Sequence, residues 1–380
     1  MPDGRPRFPF ARPDLPPPAA WLDDLQLSYE QRWFSNGGPL VRRLEGELAR
    51  RDPAGGRDAV VVASATAGLV ATLIALGLDG PVALPAFTFP ASAHAVAMAG
   101  CTPVLCDVDP LTWELSPAAA AHAVREHGCV AIMHVRAFGL CRDLAAIERV
   151  ADAAGVPLVV DSAAAYGGAT AGREPLGRAG IAEVFSAHAT KVFAAGEGGF
   201  VLAAPELAAA VRRAGNFALD GLEVTGRGLN AKLSELSAAV MLAALEQLDD
   251  VVERRRATAA ALLAAARASG LPFTLPDGIG QPPWQGLPLL LPSAAARDGA
   301  LSELRRAGVE ARPYYAPGLQ RTRAFARCAD EALPVTDELS ERMLCLPVYS
   351  RLEPGELELL AGLLTAALTT TKEEHGLSRR

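Results

Sequence analysis

A chain of 380 residues with a formal net charge of −7 is long enough to bury a large core and is expected to form two lobes. Half of its residues are hydrophobic, yet no apolar run approaches the roughly 20 residues of a membrane span and no basic stripe carries interleaved aromatics, so neither a membrane nor nucleic acid is an expected partner. Cys101, Cys106, Cys129, Cys141, Cys328 and Cys345 show no CxxC spacing and read as reduced core residues of a cytoplasmic protein, and the six histidines never join them at ligand spacing, so no metal is expected.

The opening MPDGRPRFPFARPDLPPP is rich in proline and arginine and lacks the apolar centre of a secretory signal, which predicts an irregular segment over 1–25. From Pro39, leucines 40, 44 and 48 recur at a spacing of four and predict an amphipathic helix, preceded by the loop SNGG at 35–38. In residues 59–78 a β-branched run meets the small residues Ser64, Ala65, Thr66, Ala67 and Gly68, then an apolar helix. Such a turn lets backbone N–H groups approach a phosphate at a helix N-terminus, and it equally suits an ordinary helix cap. The unit repeats over 81–100, where Phe87, Thr88 and Phe89 fill the strand-end loop; a flat ring at Phe89 could stack on a planar ligand or plug the core. Strands at 102–109, 129–135 and 157–161 alternate with helices at 116–127 and 143–154, the latter ended by Gly155. Strands separated by helices of this length make βαβ units and a mostly parallel sheet.

The strand PLVVD delivers Asp161 to the edge where open α/β sheets bind ligands. Thirty residues later, Lys191 stands in FSAHATKVFAAGEGG among Ser186, His188, Thr190, Gly198 and Gly199. A lone lysine is usually solvated, but an amine directed into the same crevice as a strand-end carboxylate suits pyridoxal phosphate: the acid keeps the pyridine nitrogen protonated and the amine attaches to the aldehyde. A helix is predicted over 205–214, a glycine-rich excursion over 215–230 and one long helix from about Ser234 to Ser269. Short strands PFTLP, GLPLLLP and VEARPYY then alternate with helices at 294–307, 336–344 and 354–369, with candidate substrate contacts in RPYYAPG (312–318) and CLPVYS (345–350) and an unstructured tail from about Thr370. The expected division is an irregular segment at 1–25, a large α/β domain at 26–250, a smaller α+β domain at 251–370 and a polar tail at 371–380.

SATAGL (64–69), PAFTFPAS (85–92), DSAAAYG (161–167), FSAHATK (185–191), GEGG (196–199), GLNAKLSELSAA (228–239) and CLPVY (345–349) together resemble the DegT/StrS-type aminotransferases from about Ser35 to Leu368. These are fold-type I pyridoxal-phosphate enzymes that mostly act on nucleotide-linked keto-sugars. The resemblance implies that Lys191 attaches to the cofactor and then shuttles the substrate proton. It implies that Asp161 holds the ring nitrogen, that the backbone amides of Ala65 and Thr66 with the Thr66 and Ser186 hydroxyls bind the phosphate, and that Phe89 stacks on the ring. Asn230 would reach the phosphate from the neighbouring subunit of a homodimer, and His188, Tyr314 and Tyr315 are candidate substrate contacts. The expected reaction transfers an amino group from L-glutamate or L-glutamine to a keto-sugar nucleotide. Alternatives are elimination, dehydration or another reaction on a non-sugar amino substrate, and a non-catalytic cofactor-binding regulator; the family's dehydratases replace the lysine by histidine, which Lys191 argues against. The pattern is broken at Ala164, where the family places glutamine or histidine, at Ser162, where it has alanine, and at Gly318, Leu319 and Gln320, where it has a histidine nearby.

Overall fold

The computed structural model describes residues 6–52, 55–329 and 331–377. Seven strands, β1 (Asp58–Val62), β2 (Pro81–Pro85), β3 (Thr102–Cys106), β4 (Ala131–Val135), β5 (Leu158–Asp161), β6 (Ala182–Ser186) and β7 (Gly199–Ala203), form one sheet in the order β1-β7-β6-β5-β4-β2-β3. β7 runs antiparallel to both β1 and β6, and the other neighbours are parallel. All five residues of β4, β6 and β7 are buried, as expected of strands covered on both faces by helices. The helices are α1 (Leu22–Glu30), α2 (Pro39–Arg50), α3 (Ala65–Ala75), α4 (Pro90–Met98), α5 (Pro117–His127), α6 (Ala145–Ala154) and α7 (Pro205–Ala214). Local chemistry sets their ends: the Ser64 and Ser116 hydroxyls accept from the backbone N–H groups of Ala67 and Ala119, and Gly128 and Gly155 turn left-handed after α5 and α6.

The 215–230 excursion holds a small hairpin, β8 (Leu219–Asp220) and β9 (Glu223–Val224). The predicted long helix is two: α8 (Glu235–Glu246) and α9 (Leu248–Ala268) meet at Gln247, whose backbone remains near-helical at φ −95° and ψ −3°. At the start of α8 a buried carboxylate ties three segments together. Glu235 accepts from Ser28 Oγ at 2.9 Å and from the Leu40 and Val41 amides at 2.8 and 3.0 Å, satisfying donors at the open end of α2.

A second core gathers around β10 (Gly286–Leu290) and β11 (Met343–Pro347), which pair antiparallel, with α9, α10 (Ala294–Arg306) and α12 (Glu356–Glu374) packed on them and α11 (Pro334–Arg342) leading directly into β11. PFTLP and VEARPYY contribute isolated bridges instead of strands, Thr274 to Leu290 from the first and Val309 to Phe8 and Arg312 to Cys345 from the second. Order also extends past Thr370, because Thr371 is fully buried and its hydroxyl binds back to the Ala367 carbonyl at 2.9 Å. The segment expected to be irregular over 1–25 is cut short by a 3-10 turn at Pro18–Ala20 and by α1 from Leu22, where the prolines give out, and the irregular stretch before them is anchored to the rest of the chain. Phe8 is fully buried in this second core and bridges to Val309, and the Phe10 amide donates to Glu310 at 2.9 Å; residues 1–5 lie outside the described chain.

Candidate active site

β1, β5 and β6 all run in one direction, so the turn into α3, Asp161 and Ser186 emerge at a single edge of the sheet. There they line a cleft of about 420 Å³ with Ala65, Thr66, Phe89, His188 and Lys191. Phe10, Gln285, Arg312, Tyr314 and Tyr315 close it from the side of the second core. Hollows of about 1100 and 580 Å³ elsewhere contain neither Asp161 nor Lys191, and chemistry identifies the smaller cleft as the reactive one.

Asp161 ends β5 and is 5% exposed. Its carboxyl receives two neutral donors, Ser92 Oγ at 2.7 Å and the Ala163 amide at 3.1 Å. Burial pushes its pKa up despite those bonds and the opposing charges of Lys191 and His134. Lys191 shows the converse: burial lowers its pKa to about 8, with the Asp161 charge opposing the shift. Its Nζ donates to Gln285 Oε1 at 3.0 Å. Around α3, the first-turn amides of Ala65 and Thr66 have no partner within the helix, and β7 passes so close that a Cβ on Gly199 would lie 2.7 Å from the Ala65 nitrogen. Ser186 Oγ accepts from the His188 amide at 3.2 Å. Phe89, at the entry to α4, keeps its ring 57% exposed beside the cleft.

These residues fit pyridoxal phosphate. The amide-rich end of α3 suits a phosphate, the exposed face of Phe89 suits an aromatic ring, and Asp161 is a buried acid that a protonated ring nitrogen would complement.

Of the residues singled out from the sequence, Asp161, Lys191, Ala65, Thr66, Phe89, Ser186, His188, Tyr314 and Tyr315 all reach this cleft. Asn230 does not; it is exposed, bridged to Asn216, and outside its own chain's cleft. His188 Nδ1 is tied to Thr190 Oγ1 at 2.9 Å while Nε2 faces Glu197 at 3.6 Å. Ala164 packs under the 137–139 turn, where a Cβ on Gly139 would strike its carbonyl oxygen at 2.4 Å. The cleft wall is furnished instead by Phe138, stacked on Tyr315 at 5.1 Å between ring centres. The Ser162 hydroxyl donates to Glu183, which also receives Arg136 Nε at 3.0 Å, so the departure from alanine completes a buried polar network. Leu319 is buried in the core and Gln320 binds Asp337 at 2.8 Å, leaving no imidazole equivalent there. Phe10, Ser92 and Gln285 had no role in the sequence reading, whereas Arg312 lies in the RPYYAPG stretch expected to contact substrate and does line the cleft. All of them are brought in from regions remote in the chain, Ser92 from 69 positions before Asp161 and Gln285 from 94 after Lys191.

Sheet order and cleft chemistry define the class: a fold-type I transferase dependent on pyridoxal phosphate. The model of the DegT/DnrJ/EryC1/StrS aminotransferase family matches residues 20–364, and the chain belongs to that family. Protein Rv3402c of Mycobacterium tuberculosis is 32% identical over 367 residues, covering 93% of this chain and 88% of the relative. The dTDP-4-amino-4,6-dideoxy-D-glucose transaminase of Shigella dysenteriae is 28% identical, covering 93% of this chain and 97% of the relative. Among solved structures, DesI in the presence of its TDP-sugar product superposes with a TM-score of 0.86 at 35% identity, covering 98% of this chain and 94% of that one. Among the described residues no helix is long and apolar enough to cross a membrane and no cluster of metal-ligating side chains occurs. None of the six cysteines forms a disulfide among the described residues.

Proposed function

We propose that this aminotransferase takes the amino group of L-glutamate or L-glutamine and delivers it to a keto-sugar nucleotide, in the cytoplasm, as a homodimer with shared active sites. The observation that carries this reading is the convergence of Lys191, Asp161 and the α3 turn on one cleft; the dTDP-sugar transaminase activity of the Shigella relative and the TDP-sugar product of DesI support a nucleotide-sugar acceptor. Bound pyridoxal phosphate supplies the electrophilic aldehyde and an electron-withdrawing ring.

The chain's own residues bind, orient and move the proton. Ala65 and Thr66 amides, with the Thr66 and Ser186 hydroxyls, anchor the phosphate; Phe89 covers the ring; Asp161 pairs with its nitrogen. With a pKa of about 8, Lys191 is neutral in about a quarter of molecules at pH 7.5, against about one in a thousand for an ordinary lysine, so it can serve as both nucleophile and proton shuttle. Asn230 projects outside its own cleft and is assigned to the cleft of the partner subunit. Tyr314, Tyr315 and His188 face the substrate.

The wall made by Phe138 and Tyr315, where the family presents glutamine or histidine, favours a second reading in which the acceptor is a less polar ring than a sugar. The purified protein loaded with pyridoxal phosphate should show a visible absorption band that L-glutamate or L-glutamine bleaches to the amine form, releasing the 2-oxo acid. A panel of keto-sugar nucleotides and cyclic ketones should then restore the band with one class only. A band that no amino donor changes would leave a cofactor-binding regulator as the better description.

A further inference from the structure

We propose that Gln285 is the resting partner of the Lys191 amine, holding it at the cleft floor whenever it is not bonded to carbon and so fixing the position from which it moves the proton. The inference rests on Lys191 being the reacting amine. Lys191 Nζ donates to Gln285 Oε1 at 3.0 Å across 94 positions of sequence, and the glutamine stands immediately before β10, whereas the lysine follows β6 of the large sheet.

The place of Gln285 is over-determined. Arg255 on α9, 5% exposed, donates Nε to the Trp284 carbonyl and a second nitrogen to the Gln285 carbonyl, both at 2.9 Å. Trp284 is left-handed at φ 56°, and Gly286 opens β10 in so tight a space that a Cβ there would meet Cys345 Sγ at 2.7 Å and the Phe10 ring at 3.2 Å. A side chain held this firmly by its backbone specifies a position, as a group that merely fills space would not.

Its chemistry is also selective. An amide oxygen accepts from an ammonium and, more weakly, from a neutral amine, so it serves both states with a modest bias toward the charged one, whereas a carboxylate in its place would hold the lysine protonated. The charged groups facing the amine are otherwise engaged. Arg312 is paired with Glu310 at 2.9 Å, Arg12 with Glu356 at 2.8 Å and Asp14 with Arg351 at 2.8 Å. From the turn, His188 faces Glu197, and from β5 the acid is Asp161. Behind the amine lies a polar chamber of about 40 Å³, lined in part by Asp14, Arg255, Gln285 and Ser350, with room for a water beside the resting lysine.

The chain has three lysines, Lys191, Lys232 and Lys372, which makes site-resolved labelling simple. Trace acetylation of the full-length cofactor-free protein with acetic anhydride, read by peptide mass spectrometry across pH, reports the protonation midpoint of Lys191. Gln285→Glu should raise that midpoint by about one to three pH units and Gln285→Leu should lower it by about one. In the loaded enzyme, the pH at which amino donors bleach the visible band should move the same way. Unchanged midpoints in both variants, at unchanged urea midpoints, overturn the proposal. Should Gln285→Leu not fold, the isosteric Gln285→Glu decides alone. If borohydride reduction of the loaded wild type fails to mark Lys191, the assignment of the reacting amine is wrong, a result distinct from an immobile midpoint.

Discussion

Gly199→Ala tests the geometry of the anion cradle with a single methyl group. Gly199 opens β7, pairing with Val62 of β1 and Ser186 of β6, so it sits between two of the cleft's edges. Its backbone is ordinary; the constraint is space. An added Cβ would lie 2.7 Å from the Ala65 nitrogen, 2.7 Å from the Phe185 oxygen and 3.0 Å from the Ser64 carbonyl carbon, where ordinary contacts begin at 3.4 Å. All three are backbone atoms, so no rotamer change relieves the clash, and the strand and turn must separate by about 0.7 Å. Overpacking of this kind costs about 1–3 kcal/mol of stability. Because the displaced amide is a proposed phosphate donor, one charge-assisted hydrogen bond of about 1.5–3 kcal/mol is lost as well, which weakens cofactor binding about 10- to 100-fold. Urea denaturation of the cofactor-free protein and absorbance titration with pyridoxal phosphate measure the two effects. Gly172→Ala, whose nearest neighbour would be Thr170 Oγ1 at 3.7 Å, is the neutral control. A Gly199→Ala protein with the wild-type urea midpoint and a Kd within about twofold of wild type would refute the cradle.

Asp161→Asn should separate stability from function. Burial raises the Asp161 pKa, so the wild type takes up a proton on folding and loses stability as pH rises above the usual carboxylate range; the asparagine variant lacks that loss. Its cofactor-free urea midpoint at neutral pH should therefore rise while cofactor retention falls at least about tenfold, and a lower midpoint would contradict the electrostatic reading. Lys191→Met tests the opposite sign. Because the folded lysine is lowered from 10.5 to about 8, the wild type should gain up to about 3 kcal/mol relative to the variant between those pH values, a gain lost as pH falls back through 8; parallel pH-stability curves would rule it out. Subunit sharing predicts complementation. Mixing inactive Lys191→Ala and Asn230→Ala chains after co-refolding should restore about a quarter of wild-type activity, because half the dimers carry one intact site of two, and no recovery would place Asn230 outside the partner's cleft.

The β-branched runs, the small-residue turn before α3 and the carboxylate ending β5 were visible in the sequence because each is a local pattern. Where local pattern and tertiary contact part, the reading failed. The break between α8 and α9 has neither glycine nor proline; Gln247 departs from helical geometry only slightly, and the apolar periodicity runs through it. The polar composition after Thr370 concealed a helix whose threonine hydroxyls bind back to their own carbonyls, Thr369 to Thr365 at 2.8 Å among them. Prolines predicted an irregular segment over 1–25, yet α1 begins at Leu22, and before it Phe10 and Arg12 are fixed by Glu310 and Glu356, 300 and 344 positions away. Gln285 had no local signal at all, since its role appears only when β10 meets the turn carrying Lys191.

All of the proposed chemistry depends on Lys191 being the amine that attaches to the cofactor. Loading the protein with pyridoxal phosphate, reducing with borohydride and mapping the pyridoxyl group by peptide mass spectrometry tests it against only two other lysines, Lys232 and Lys372. The label should fall on Lys191, with loss of both label and visible band in Lys191→Ala; a label on either other lysine, or a band that survives the substitution, would overturn the assignment.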